Sequence, residues 1–186
     1  MSDAVRKRFG ETAELVAQQQ DRHTAATQER LRHLLTLTGE ERALDIGTGA
    51  GAFAIALAPL VREVIGVDIV AELVEEGRKR APANVELVEA DATALPYGRG
   101  SFDLVCTART LHHVPRPELA LAEMNRLLRP GGTMLVADQL APSTRSPQSS
   151  LTASSAPETR RRRGSSPTSI CAASSTRTAS SSGTRR

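Results

Sequence analysis

Apolar residues recur at helical spacing at Val5, Phe9, Ala13 and Val16, and again at Leu31, Leu34 and Leu35. That period predicts helix over residues 3–38. Gln18-Gln19-Gln20-Asp21 interrupts the apolar face, so two helices are expected, the second capped by Gly39. From residue 42 the pattern changes to short, nearly continuous apolar runs separated by amphipathic stretches. The runs Arg42–Ile46, Glu63–Asp68, Val85–Ala90, Ser101–Thr107 and Thr133–Ala137 read as strands. The stretches 52–60, 71–80 and 118–128 read as helices, the first stopped by Pro59. Strands alternating with helices predict an α/β domain with a mostly parallel sheet.

After about Pro142 the pattern stops. Residues 143–186 hold 14 serines, 7 threonines and 8 arginines, and Leu151 and Ile170 are their only large aliphatic residues. Such a segment buries too little apolar surface to offset its ordering entropy, so disorder is expected. Three regions follow: a helical leader or lid over 1–41, a ligand-binding domain over 42–142, and a Ser/Arg-rich tail over 143–186. With the tail unstructured, the strand Thr133–Ala137 keeps an open edge, a route to homodimerisation.

Charge follows the same boundary. Residues 1–142 carry 16 basic and 20 acidic groups, a net of −4, while the tail carries 8 arginines and one glutamate, +7. The overall +3 therefore belongs to the tail, which argues against a nucleic-acid-binding core. The run Arg160–Arg163 is the one feature suited to nucleic acid or an acidic membrane, and no aromatics interleave with it to stack on bases. No 18-residue apolar run exists to span a membrane. The polar N-terminus is unlike a signal peptide. Cys106 and Cys171 lie far apart without metal spacing, and the expectation is a cytoplasmic, disulfide-free protein.

The candidate chemistry begins at Ala43-Leu44-Asp45-Ile46-Gly47-Thr48-Gly49-Ala50-Gly51, which reads as strand, tight turn and helix. Glycines at alternating positions permit positive φ and let a ligand lie on bare backbone before a helix N-terminus. The loop alone fits either a dinucleotide or an adenosyl cofactor. Asp68 ends the second strand 17 positions after Gly51, where a carboxylate can accept both hydroxyls of a ribose or cap the next helix. Asp91 and Ala92 start a loop at the carboxyl end of the third strand, suited to an adenine edge or to a simple turn. Arg109, His112 and His113 lie after the fourth strand. Adjacent histidines diverge too far to chelate one metal, and no third ligand is spaced to help, so no metal site is expected. Either histidine can instead serve as general base, contact a substrate, or cap the helix that follows.

Five stretches together resemble the class I S-adenosylmethionine-dependent methyltransferases over residues 9–142. They are Leu44–Gly51, Gly66-Val67-Asp68, Glu89–Tyr97, Ser101-Phe102-Asp103 through Val114, and Leu127–Gly132. The similarity is greatest to the subgroup containing the ubiquinone and menaquinone biosynthesis enzymes. The resemblance implies a Rossmann-like methyltransferase fold and S-adenosyl-L-methionine as cofactor. It places Asp45, Gly47, Thr48, Gly49, Gly51, Asp68, Ile69, Asp91, Ala92 and Thr107 on that cofactor, and leaves Arg109, His112 and His113 as catalytic candidates toward a small-molecule acceptor. A truncated, inactive binding protein and a nicotinamide-dependent oxidoreductase are the alternatives. The sequence departs from the family after the fifth strand, where a helix and an antiparallel hairpin are expected. The Ala- and Arg-rich composition, with Lys7 and Lys79 the only lysines, suggests GC-rich coding, and the tail read one frame over yields phrases resembling the family, so a frameshift product is one account of it.

Overall fold

The computed structural model describes residues 3–21, 23–139 and 168–174. The leader forms α1 (Asp3–Glu11), α2 (Ala13–Asp21) and α3 (Thr24–Leu34), three helices where the apolar pattern suggested two. The extra break falls at Thr12, whose hydroxyl donates to the Arg8 carbonyl at 2.9 Å and so competes with the helical ladder. Helix α3 stops at Leu34, short of the expected residue 38, and Gly39 does not cap it. Beyond it Thr36 and Thr38 are poor helix formers, and the Glu41 carboxylate accepts from the Thr38 and Gly39 N–H groups, which closes a local turn with Gly39 at φ +90°.

The sheet contains β1 (Arg42–Ile46), β2 (Glu63–Asp68), β3 (Val85–Glu89), β4 (Phe102–Ala108), β5 (Leu128–Gln139) and β6 (Thr168–Ser174), in the order β3-β2-β1-β4-β5-β6. The first five strands are parallel; β6 runs antiparallel along β5. Helices α4 (Ala52–Leu57), α5 (Ala71–Arg78) and α6 (Pro117–Leu127) make the crossovers. Alternate strand residues serve opposite faces, and both faces are covered. Ala43, Val64 and Leu104 pack with Leu31, Leu57 and Val74 on one side, and Leu44, Ile65 and Val105 pack with Met124 and Leu127 on the other. Burial on both faces explains why the strands read as continuous apolar runs.

Strand β5 begins five residues before the expected Thr133, taking in Arg129-Pro130-Gly131-Gly132, with a register shift opposite Phe102 and Leu104. Strand β6 is a second departure. Thr168–Ser174 lies in the segment expected to be disordered, and it pairs with β5 from Thr133↔Ser174 to Gln139↔Thr168. The β5 edge is therefore taken, which removes the open strand on which homodimerisation rested. The rest of the disorder expected over 143–186, the Arg160–Arg163 run and the frameshift reading lie outside the described residues. No helix among the described residues is long and apolar enough to cross a membrane, and none of their His, Cys, Asp and Glu side chains cluster as metal ligands.

Candidate functional site

In the strand order β3-β2-β1-β4 the chain reverses direction of winding between β1 and β4, and crevices open at the carboxyl ends of strands at such a point. A cavity of about 850 Å³ lies there. Its floor is the turn after β1. The Gly47 and Thr48 N–H groups donate to the Val67 carbonyl at 2.8 and 3.0 Å, which pins the turn to β2. Gly47 sits at φ +72° with Thr110 packed against it. A Cβ built there would fall 2.0 Å from the Thr110 methyl, so only glycine fits. The Thr110 hydroxyl donates to the Gly47 carbonyl at 3.1 Å and ties the loop after β4 to the same turn.

Asp68 joins the glycine turn to the start of α5. Its Oδ2 accepts from the Gly49 N–H at 2.8 Å and its Oδ1 from the Val70 N–H at 2.9 Å. Burial raises its pKa, opposed by those N–H donors. Asp68 thus caps backbone and lines the cavity at once, so the two readings of it are compatible. Asp91 is exposed, and its Oδ1 accepts from the Thr93 N–H and hydroxyl at 2.8 and 2.7 Å, which holds its carboxyl below the usual range. The loop it begins is clamped from α6. Arg126 donates to the Tyr97 and Leu95 carbonyls and to Glu123, and Glu123 accepts from the Leu95 N–H.

Gly47, Gly49, Asp68, Ile69, Asp91, Ala92, Arg109, His112 and His113 all line the cavity. Asp45, Thr48, Gly51 and Thr107 do not. They are buried behind the turn and shape it from below. The Thr107 hydroxyl donates to the Ile46 carbonyl at 2.9 Å, and Gly51 precedes α4 at φ +84°. Asp45 Oδ2 and Thr48 Oγ1 have no hydrogen-bond partner among the described residues. Burial, with the charge of Asp68 adding to it, pushes the Asp45 carboxyl up to about 7.

On the β4–β5 side the structure adds a residue that the sequence reading did not place in the site. His112 Nδ1 lies 2.6 Å from Asp138 Oδ1, and the His112 backbone N–H donates to Oδ2 at 3.2 Å. Burial acts against an ionised Asp138, but the Gln139 N–H and His112 together hold its carboxyl below the usual range. His113 stacks edge-to-face on Phe9 at 5.4 Å, and burial lowers its pKa, with His112 adding to the effect. Phe9, Val16 and Gln19 bring the leader to the cavity wall, and Arg6 pairs with Glu89 at the end of β3 at 3.2 Å. The helical period of Phe9 and Val16 marks them only as an apolar face; which element that face meets is not written in the spacing.

The polar groups fit an adenosyl cofactor. Each Asp68 oxygen accepts one N–H and retains a lone pair for a vicinal diol. Asp91 Oδ2 has no partner among the described residues and suits an exocyclic amine. Gly47 and Gly49 expose bare backbone at the wall between them and the histidines.

A family model described as a methyltransferase domain matches residues 44–136, half of the chain. The methyltransferase YcgJ of Bacillus subtilis (strain 168) is 37% identical over 107 residues, covering 55% of this chain and 42% of that protein. A demethylmenaquinone methyltransferase of Staphylococcus aureus (strain JH9) is 39% identical over 106 residues, covering 54% and 44%. Among solved structures, a SAM-dependent methyltransferase of Thermotoga maritima superposes with a TM-score of 0.56 at 30% identity, covering 69% of this chain and 59% of that one. The chain spans less than half the length of the curated relatives it matches.

Proposed function

This chain belongs to the methyltransferase domain family, and from that premise we propose that it transfers a methyl group from S-adenosylmethionine to a small-molecule acceptor. The observation that carries the reading is the part-buried Asp68 carboxylate. It is locked to the glycine turn and to α5, and it faces a cavity at the winding reversal of the sheet. Gly47, Gly49, Asp68 and Ile69 hold the sugar and amino-acid portion, and Asp91 with Ala92 holds the base. When bound, the cofactor supplies an electrophilic methyl on a sulfonium.

This chain's own contribution is placement and proton handling. Asp138 accepts from Nδ1–H of His112, which fixes the ring and leaves Nε2 to take a proton from the acceptor. His113, whose pKa burial lowers, walls the same region with Phe9. The leader lines that cavity through Phe9, Val16 and Gln19.

Thermal unfolding tests the reading. S-adenosylhomocysteine at a hundredfold excess over its Kd is expected to raise the melting temperature by about 5–10 °C, and NADH to leave it unchanged. Stabilisation by NADH and none by S-adenosylhomocysteine would return the glycine turn to dinucleotide chemistry.

A further inference from the structure

The cavity is electrically divided along the sheet. Strands lie ~4.8 Å apart, so positions on β2 and β3 are well separated from those at β4 and β5. The carboxylates Asp68 and Asp91 belong to the β2–β3 half. The β4–β5 half is lined from the loop between β4 and α6, which contributes Arg109, Arg116, His112 and His113. One carboxylate, Asp138, stands at that end, and it is bonded to His112. Among the described residues, neither the Arg109 nor the Arg116 guanidinium has a hydrogen-bond or ion-pair partner, although ten ion pairs are formed elsewhere.

Arg109 is held in place by its backbone. It is the single non-glycine residue at positive φ among those described, at +56°, and its N–H donates to the Ala137 carbonyl at 2.7 Å. A left-handed arginine at the mouth of a cavity is an unfavourable conformation retained by its surroundings. Arg116 precedes the first residue of α6 and is anchored by that helix. Arg109 and Arg116 thus place two guanidiniums without acids on one wall, from the two ends of the loop between β4 and α6, and guanidinium groups bind oxyanions by charge-assisted forked hydrogen bonds.

We propose that the acceptor is an anion, a small molecule bearing a carboxylate that Arg109 and Arg116 bind while its nucleophilic atom faces His112. This rests on the methyl-transfer reading of the same cavity. The cofactor also carries a carboxylate, so the two sources must be separated. The experiment titrates matched acid and amide pairs, beginning with 4-hydroxybenzoate and 4-hydroxybenzamide and extending to aliphatic pairs, into the full chain saturated with S-adenosylhomocysteine. Acids are expected to bind at least about tenfold more tightly than their amides. Arg109→Gln and Arg116→Gln should each erode that preference and leave the affinity for S-adenosylhomocysteine unchanged.

Equal affinity within every pair, or no binding of any acid, overturns the proposal and leaves the methyl-transfer reading intact. Weakened S-adenosylhomocysteine binding in the arginine variants overturns it too, because the guanidiniums would then serve the cofactor. Failure of S-adenosylhomocysteine to bind the parent chain removes both.

Discussion

Asp45 is buried behind the glycine turn and does not line the cavity. It lies one residue before the end of β1, paired in register with Gly66 and Cys106, and it is 1% exposed. Its carboxyl is pushed up to about 7 by burial, against an ordinary value of 3.8. The folded chain therefore binds a proton that the unfolded chain has released, and stability falls as pH rises through that interval. Full ionisation costs folding about 4 kcal/mol by the size of the shift. Asp45→Asn is expected to flatten the decline between about pH 4 and pH 7, so that the variant gains on the parent as pH rises. Urea unfolding of both proteins at pH 5 and pH 8 measures it; an equal difference at the two pH values contradicts a shifted Asp45.

At the scale of elements, the site is assembled by contacts between segments remote in sequence. The end of β5 orients the short turn Leu111–His113 through Asp138, and Thr110 fastens the same loop to the turn after β1. Asp138→Ala is expected to lower methyl transfer by about tenfold or more. In nitrogen-resolved NMR of the parent, neutral His112 carries its proton on Nδ1. In the variant the proton moves mostly to Nε2, and retention on Nδ1 would show that Asp138 does not set the tautomer. Legibility in the sequence follows the range of the physics. The parallel strands are legible because burial on both faces makes each a continuous apolar run. Gly47 and Asp68 are legible because turn chemistry is local. The His112–Asp138 bond spans 26 positions and leaves no periodic trace. The break at Thr12 depends on one hydroxyl, and β6 is built from Thr, Ser, Ala, Ile and Cys without alternation, so neither stands out. Asp45 and Thr107, opposite neighbouring positions in the sheet, are buried beneath the glycine turn by strand register, which the sequence does not spell out.

For the molecule as a whole, the sheet order decides where chemistry occurs. Winding outward from β1 to β3 and then from β4 to β5 leaves one crevice between the two halves, with Asp68 and Asp91 on one side and the histidines and arginines on the other. Helices α1 and α2 dock through Ala13, Ala17 and Phe9 against Val70 and Leu73 beside the glycine turn, so the leader shares a core with the site. The central claim is that Asp68 anchors an adenosyl cofactor in this crevice. Calorimetric titration of the chain with S-adenosylhomocysteine, beside Asp68→Asn and Asp68→Ala variants of verified melting temperature, tests it most directly. The account predicts saturable binding by the parent and affinity at least about tenfold weaker in both folded variants, Ala the weaker of the two. Undiminished binding by the variants, or none by the folded parent, would contradict it.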